Sequence, residues 1–447
     1  MWETEASLLP KVPQGTTLKV FCVGFDEEFD DSSEAEAGEA KTPSRVPKEP
    51  RPPAVSELER LLSTLGVKAV GKIHVSVRRV NPATFIGAGK VQEVAEQVVA
   101  LGADAVVIDT ELSPNQLRNL EKAIGKPTVD RPGIIIEIFS QHARTKESKT
   151  QVELAKLQYL LPRLAHYWTH FERQRGGIGQ KGMGEKQIEV DRRLVKKRME
   201  ILRKRLGSIG DERDVQRSSR KDVIKVALVG YTNAGKSTLL NSLTDSHVLV
   251  ENKLFSTLDS SVRALNPHSQ PPVVAIDTVG FIDRLPPGLI ASFRSTLEEL
   301  QHADLLLHVV DGSSPKARDQ IDVTESVLKD LKLDKKPKIL VLNKMDLLAA
   351  GGAGVVNRSR AAAPGAVRVS AFNRDDMKRL RELIMAHFQK AMESWEVMIP
   401  YTESKLEAMI RAHGNIEKTK HLDSGTFFRV RMPEEWANKL QLKKFQI

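Results

Sequence analysis

The sequence predicts a multidomain α/β protein: an N-terminal α/β domain with a two-helix basic arm, a P-loop domain on a mostly parallel, doubly wound sheet, and a small C-terminal α/β domain. Three observations carry this. An apolar run, Val226-Ala227-Leu228-Val229, enters Gly230-Tyr231-Thr232-Asn233-Ala234-Gly235-Lys236-Ser237 and leaves through the helical pattern that starts at Thr238. Strand-like and helix-like periodicities alternate from Leu18 to Ile138. Between Arg144 and Asp222, 21 Lys and Arg face 11 Asp and Glu, an excess equal to the net charge of +10 on the whole chain.

At 447 residues the chain is too long for one core. Boundaries are expected at residues 1–143, 144–222, 223–388 and 389–447. No apolar run approaches the roughly 18 residues of a membrane span. Cys22 is the only cysteine, which excludes an internal disulfide and a thiolate zinc cluster and suits a reducing compartment. Met1-Trp2-Glu3-Thr4-Glu5 carries acids where a signal core would be apolar, so a cytoplasmic protein is expected, free or on ribosomes or a membrane surface.

In chain order, Leu18–Phe25 reads as a buried strand. Residues 26–53 are acidic, then proline-rich, and too poor in apolar groups to offset the entropy of ordering, so a disordered loop is expected. Helix Ser56–Leu65, strand Lys68–Val77, helix Lys90–Leu101, strand Ala105–Asp109, helix Pro114–Ile124 and strand Ile134–Ile138 follow. Gly87-Ala88-Gly89-Lys90 imitates the end of a P-loop, but Thr84 stands where a glycine is required and Val91 offers no hydroxyl. Helical spacing over Thr145–Leu164 and a basic helix from Gln187 to Leu206 form the arm. The loop between them carries Arg173, Arg175, Gly177, Gly179, Lys181, Gly182 and Lys186, a cationic, glycine-rich tip suited to a phosphate backbone. Arg192, Arg193, Lys196 and Lys197 extend that charge along the helix. Asp211–Lys221 reads as a polar hinge.

The phosphate-binding motif is complete. Its glycines let successive N–H groups face phosphate oxygens, Lys236 reaches the β- and γ-phosphates, and Ser237 ligates Mg²⁺, with Thr238 opening the helix. Downstream, Phe255-Ser256-Thr257-Leu258-Asp259 supplies Thr257 for a first switch, a second magnesium ligand and catalytic group. Strand Val273–Ile276 delivers Asp277-Thr278-Val279-Gly280, whose Gly280 amide senses a γ-phosphate. Asn343-Lys344-Met345-Asp346 follows strand Ile339–Leu342; the Asp346 carboxylate can accept from guanine N1–H and the 2-amino group, a pair adenine lacks, so GTP is the expected substrate. Ser370-Ala371-Phe372 would bring a backbone N–H to guanine O6. Where many such sites place a water-orienting glutamine, this chain has Phe281, so slow intrinsic hydrolysis is expected, raised by a partner by up to about 10³ to 10⁵. Strand Val397–Ile399, helix Glu403–Ala412 and strands Ile416–Lys420 and Thr426–Met432 form the last domain, which carries no catalytic constellation.

Over almost its full length the chain resembles the HflX family of ribosome-associated GTPases. The likeness rests on Asp109-Thr110-Glu111-Leu112-Ser113-Pro114, Gln116–Glu121, Ala143–Glu147, Gln151–Ala155, Leu161–Leu164, Arg175–Gln180 through Gly184-Glu185 to Asp191-Arg192-Arg193, and Asp277–Phe281. Gly182-Met183-Gly184-Glu185-Lys186-Gln187 departs from the family's Gly-Pro-Gly-Glu-Thr-Gln, and Val190 replaces a usual threonine. A monomer is expected. The resemblance implies that the N-terminal domain and arm bind the large (50S) ribosomal subunit and its rRNA, with the glycine-rich tip towards the peptidyl-transferase region. It implies that the GTP form splits stalled or idle ribosomes under stress and that the large subunit stimulates hydrolysis. ATP hydrolysis in the N-terminal domain is also implied, without support from Gly87–Lys90. A GTP-timed assembly or quality-control factor that leaves ribosomes intact is the alternative.

Overall fold

The computed structural model describes residues 7–10, 12–13, 15–25, 55–164, 184–218, 223–245, 254–255, 257–265, 272–283, 299–349, 365–390 and 392–447. The stretch 26–53, the arm tip from Arg173 to Gly182, and Ser256 lie outside these residues. Among the described residues, those up to Ile209 belong to one compact unit and those from Gly210 onward to another.

In the first unit, β1 (Lys19–Phe25) is apolar on both faces because it lies inside a four-stranded sheet. It pairs in parallel with β2 (Lys68–Val75) on one side and β3 (Ala105–Ile108) on the other, and β3 pairs with β4 (Thr128–Asp130), giving the order β2-β1-β3-β4. Helices α1 (Val55–Thr64), α2 (Ala88–Ala100) and α3 (Pro114–Ile124) connect the strands. Ser113 and Gln116 close a capping box at the start of α3, with Pro114 in its first turn and Gly125 left-handed at its end. Cys22 is buried in β1, and burial pushes its thiol up to about 12.

Ile134–Ile138 is not a strand. It lies within α4 (Arg131–His142), started by the Asp130 carboxylate, which accepts from Gly133 N at 3.1 Å, and by Pro132 in the first turn. The isoleucines are buried around much of the helix, so neither period shows in their sequence.

The arm consists of α5 (Lys146–Leu160), capped by Thr145, and α6 (Gly184–Ser218). Leu154, Leu157 and Leu164 pack on Val195, Met199 and Leu202, a seam spaced by three and four residues along α6. The predicted hinge at 211–221 is helical as far as Ser218, because no proline interrupts it and its side chains are compatible with helix.

Asp130 also fixes the root of the arm. Its fully buried carboxylate accepts from Tyr159 Oη at 2.7 Å, Arg163 at 3.1 Å and Leu112 N at 3.3 Å, and Arg163 lies over the Tyr159 ring. Arg163 donates as well to Leu112 O at 2.8 Å. Removing one partner of such a pair leaves a buried charge, at a cost of about 3–5 kcal/mol. Asp130→Ala is therefore expected to lower amide protection over β3, β4 and α5 by that amount in hydrogen exchange; protection within about 1 kcal/mol of the unmodified chain would contradict this account.

The second unit opens with β5 (Ile224–Val229), α7 (Lys236–Thr244), β6 (Ser261–Leu265) and β7 (Val273–Asp277). It continues through β8 (Leu305–Asp311), α8 (Ala317–Asp330), β9 (Lys338–Asn343), α9 (Met345–Ala349), β10 (Val367–Arg368) and α10 (Arg374–Lys390). The sheet order is β10-β9-β8-β5-β7-β6, parallel except for β6 against β7. Val226, Leu228, Leu305, Leu307 and Val309 pack on Leu239, Leu240 and Leu243 of α7 and on Leu380 and Ile384 of α10.

The chain ends in an antiparallel sheet, β11 (Glu393–Ile399), β12 (Asn415–Leu422) and β13 (Gly425–Met432), in the order β11-β13-β12. Helices α11 (Ser404–His413) and α12 (Glu434–Lys439) contribute Ile410 and Ala437 to its core with Val397, Phe428 and Val430. Among the described residues no helix is long and apolar enough to cross a membrane.

Candidate functional site

The loops that follow β5, β7, β9 and β10 converge on a cleft of about 320 Å³ at the carboxyl ends of the strands, where doubly wound sheets hold their ligands. Gly230 takes a φ of 148°, and a Cβ there would strike the Val309 carbonyl oxygen, so the chain leaves β5 against β8 with no space for a side chain. Thr232, Asn233, Gly235, Lys236, Ser237 and Thr238 line the cleft. Lys236 opens α7 and donates through Nζ to Gly230 O at 3.1 Å and Tyr231 O at 2.9 Å. Burial pushes its ammonium down to about 8, against the pull of Asp277.

Three oxygens meet at the next turn. Ser237 Oγ donates to Asp277 Oδ2 at 2.6 Å and lies 2.6 Å from Thr257 Oγ1. Asp277 is fully buried at the end of β7; burial pushes its carboxyl up while Lys236 and the hydroxyls draw it down. Thr278 Oγ1 donates to Leu228 O at 2.7 Å and fixes the segment that leads to Gly280. An added Cβ on Gly280 would come within 2.9 Å of Lys236 Nζ and of Thr232. Phe281 N donates to Gly230 O at 3.1 Å, Thr232 N donates to Phe281 O at 2.7 Å, and the Phe281 ring is buried. The residue in the glutamine's place therefore points into the protein.

On the other side of the cleft, Asn343 Nδ2 donates to Ala234 O at 3.0 Å and its Oδ1 accepts from Ala371 N at 3.1 Å. Lys344 bridges Asn233 O at 2.7 Å and Asp311 Oδ2 at 2.8 Å. Asp346 Oδ1 accepts from Ser370 Oγ at 2.7 Å, while Ser370 N donates to Asp376 Oδ2 at 2.9 Å. Ala371 and Phe372 line the rim, with Phe372 80% exposed.

Tyr231, Ala234, Leu258 and Val279 are buried behind the cleft; Asp259, Met345 and Ser370 do not line it, and Ser370 Oγ borders it by donating to Asp346 and accepting from Phe372 N at 3.3 Å. Asp311, Asp376 and Leu347 escaped the sequence analysis. For Asp311 the signal was present, an acid closing the apolar run of β8. At Gly87–Lys90 no cradle forms: a Cβ on Gly87 or Gly89 would meet open space, and Lys90 pairs with Glu93 on the surface. Of the cations expected to meet a phosphate backbone, Arg192, Arg193, Lys196 and Lys197 are exposed on α6, and Lys186 belongs to that helix.

Asn343→Ala breaks two bonds and strands Ala371 N and Ala234 O. A buried orphan costs about 1–3 kcal/mol. The Kd for GDP is expected to rise roughly 5- to 150-fold by titration calorimetry, and an unchanged Kd would contradict the arrangement.

Three family models match the chain: "GTP-binding GTPase N-terminal" over residues 53–140, "GTP-binding GTPase Middle Region" over 142–220 and "50S ribosome-binding GTPase" over 225–344. GTPase HflX of Flavobacterium psychrophilum is 47% identical over 65% of this chain and 70% of its own. GTPase HflX of Escherichia coli is 40% identical over 85% of this chain and 89% of its own. Among solved structures, a GTP-binding protein of Sulfolobus solfataricus in complex with GDP is 23% identical, with a TM-score of 0.40 over 83% of this chain and 98% of its own. The extent and identity of the HflX matches settle the family: the chain belongs to the HflX GTPases and is a GTP hydrolase.

Proposed function

We propose that the GTP-bound chain binds the large ribosomal subunit and splits stalled or idle ribosomes into subunits under stress, with hydrolysis stimulated by the ribosome. One observation carries the reading: the chain with the guanine-nucleotide cleft also holds a 35-residue helix, α6, whose seam residues face α5 while Arg192, Arg193, Lys196, Lys197, Arg203, Lys204 and Arg205 are exposed. Closely spaced cations of this kind neutralise backbone phosphates without reading sequence. The match to a 50S ribosome-binding GTPase model supports the large subunit as the source of that RNA. Gly177, Gly179 and the rest of the arm tip remain part of the proposed contact.

In this reading residues 230–238 wrap the phosphates, Lys236 counters charge on the β- and γ-phosphates, and the Gly280 amide meets the γ-phosphate. Ser237 and Thr257, with Asp277 behind them, make an oxygen donor set that fits a small hard cation. A magnesium ion held there would neutralise charge that develops on the phosphates. Thr257 and Gly280 are ordered by GTP and released after hydrolysis, which times departure from the ribosome. Asp346 reads guanine N1–H and the 2-amino group, with Ser370 holding the carboxylate and Ala371 N facing O6.

The test is GTP turnover with and without large subunits, with 70S particles followed by sedimentation in the same samples. Stimulated turnover with loss of 70S is expected. Stimulation with 70S intact would move the assignment to an assembly or quality-control factor, and indifference to ribosomes would overturn both. Asp346→Asn is expected to shift preference from GTP to xanthosine triphosphate, because the amide donates where the carboxylate accepted; competition against labelled GDP measures it. Retained preference for GTP would remove Asp346 from base reading.

A further inference from the structure

Phe281 leaves hydrolysis without the side chain that commonly aligns water, and its buried ring and paired backbone keep it from turning into the cleft. A different polar group lies nearby in the cleft. Thr232 lines the cleft, is 5% exposed, and its Oγ1 has no hydrogen-bond partner among the described residues. Buried hydroxyls are nearly always paired, so an orphan beside a reaction centre calls for a functional explanation.

Thr232 Cα and Cγ2 and Lys236 Nζ all lie 2.9 Å from where a Cβ on Gly280 would stand. Thr232, Lys236 and Gly280 are therefore packed against one another at the phosphate end of the cleft. The backbone of Thr232 is held by its bond to Phe281 O at 2.7 Å, so the side chain can respond only by rotation about Cα–Cβ. Stepping between staggered rotamers exchanges Oγ1 with Cγ2 and turns the hydroxyl towards Gly280.

We infer that Thr232 is a catalytic residue that takes over the water-positioning task. Its hydroxyl has one donor and two acceptor sites, enough to donate to a γ-phosphate oxygen while accepting from the attacking water. The water oxygen then bonds to the γ-phosphorus, and the bond from that phosphorus to the bridging oxygen breaks. Its electron pair leaves on GDP, and the water proton passes to a phosphate oxygen. Thr232 ends with the proton it began with, so it orients the water without acting as a base. The inference rests on GTP hydrolysis alone and is independent of the ribosomal reading.

The experiment compares the full chain with Thr232→Val, which keeps shape and loses the hydroxyl, and Thr232→Ser, which keeps the hydroxyl. Single-turnover GTP hydrolysis without ribosomes is measured beside the Kd for GDP and for GDP with aluminium fluoride. For Thr232→Val, hydrolysis should fall at least tenfold and GDP–aluminium fluoride affinity should fall with it, while the GDP Kd stays within twofold. Thr232→Ser should recover most of the rate. Hydrolysis by Thr232→Val within threefold of the unmodified chain would overturn the assignment, as would a GDP Kd that moves in step with the rate. If circular dichroism shows Thr232→Val unfolded, Thr232→Ala against Thr232→Ser makes the same comparison with the same limits.

Discussion

One buried amide holds the nucleotide cleft in shape. Asn343 joins the loop after β5, 109 residues upstream, to the loop after β10, 28 residues downstream, and uses both ends of its side chain to do so. Each loop alone would be a surface connector with unpaired backbone groups. In a low-dielectric interior each bond is strong when made and costly when lost, so the three segments are stable in one arrangement only. Lys344, held between Asn233 and Asp311, braces the same junction from the edge. The parallel sheet below matters because it brings these strand ends to one rim; the amide then fixes their spacing.

The cleft was legible in the sequence where chemistry acts through neighbouring residues. A phosphate cradle needs glycine, lysine and a hydroxyl at fixed offsets, and those offsets survive in any fold that uses them. Gly230, Lys236, Ser237, Asp277 and Asn343 could be read for that reason. Asp376 could not, since it acts on the backbone of Ser370 and its own neighbourhood is ordinary; Asp311 left a cue at the end of β8, but its pairing with Lys344 joins two strands and is not written in either. The orientation of Phe281 was equally hidden: its identity shows in the sequence, while its burial depends on pairing with Gly230 and Thr232, some 50 residues away (compare the 52 separating Asp283 from Tyr231).

The fold shows the same division. The βα alternation was readable because the period of each element is local. Ile134–Ile138 misled because branched residues suit strands and a helix buried on most sides displays no polar face to betray its period. The cue lay upstream, in Asp130-Arg131-Pro132-Gly133, a cap followed by a proline in the first turn. Polar residues after Gly210 suggested a break, yet polarity alone does not end a helix.

The position of β1 has a consequence for how the chain is made. It is the earliest described strand and a central one, needing β2 on one side and β3, which ends at Ile108, on the other. At about 5 to 20 residues per second, roughly 4 to 17 s pass between synthesis of β1 and of its second neighbour. For that interval a wholly apolar segment, Val-Phe-Cys-Val-Gly-Phe, has one edge without its partner, a state open to wrong association. β1 is thus the described strand for which the delay between synthesis and full pairing matters most, long before the cleft has been synthesised.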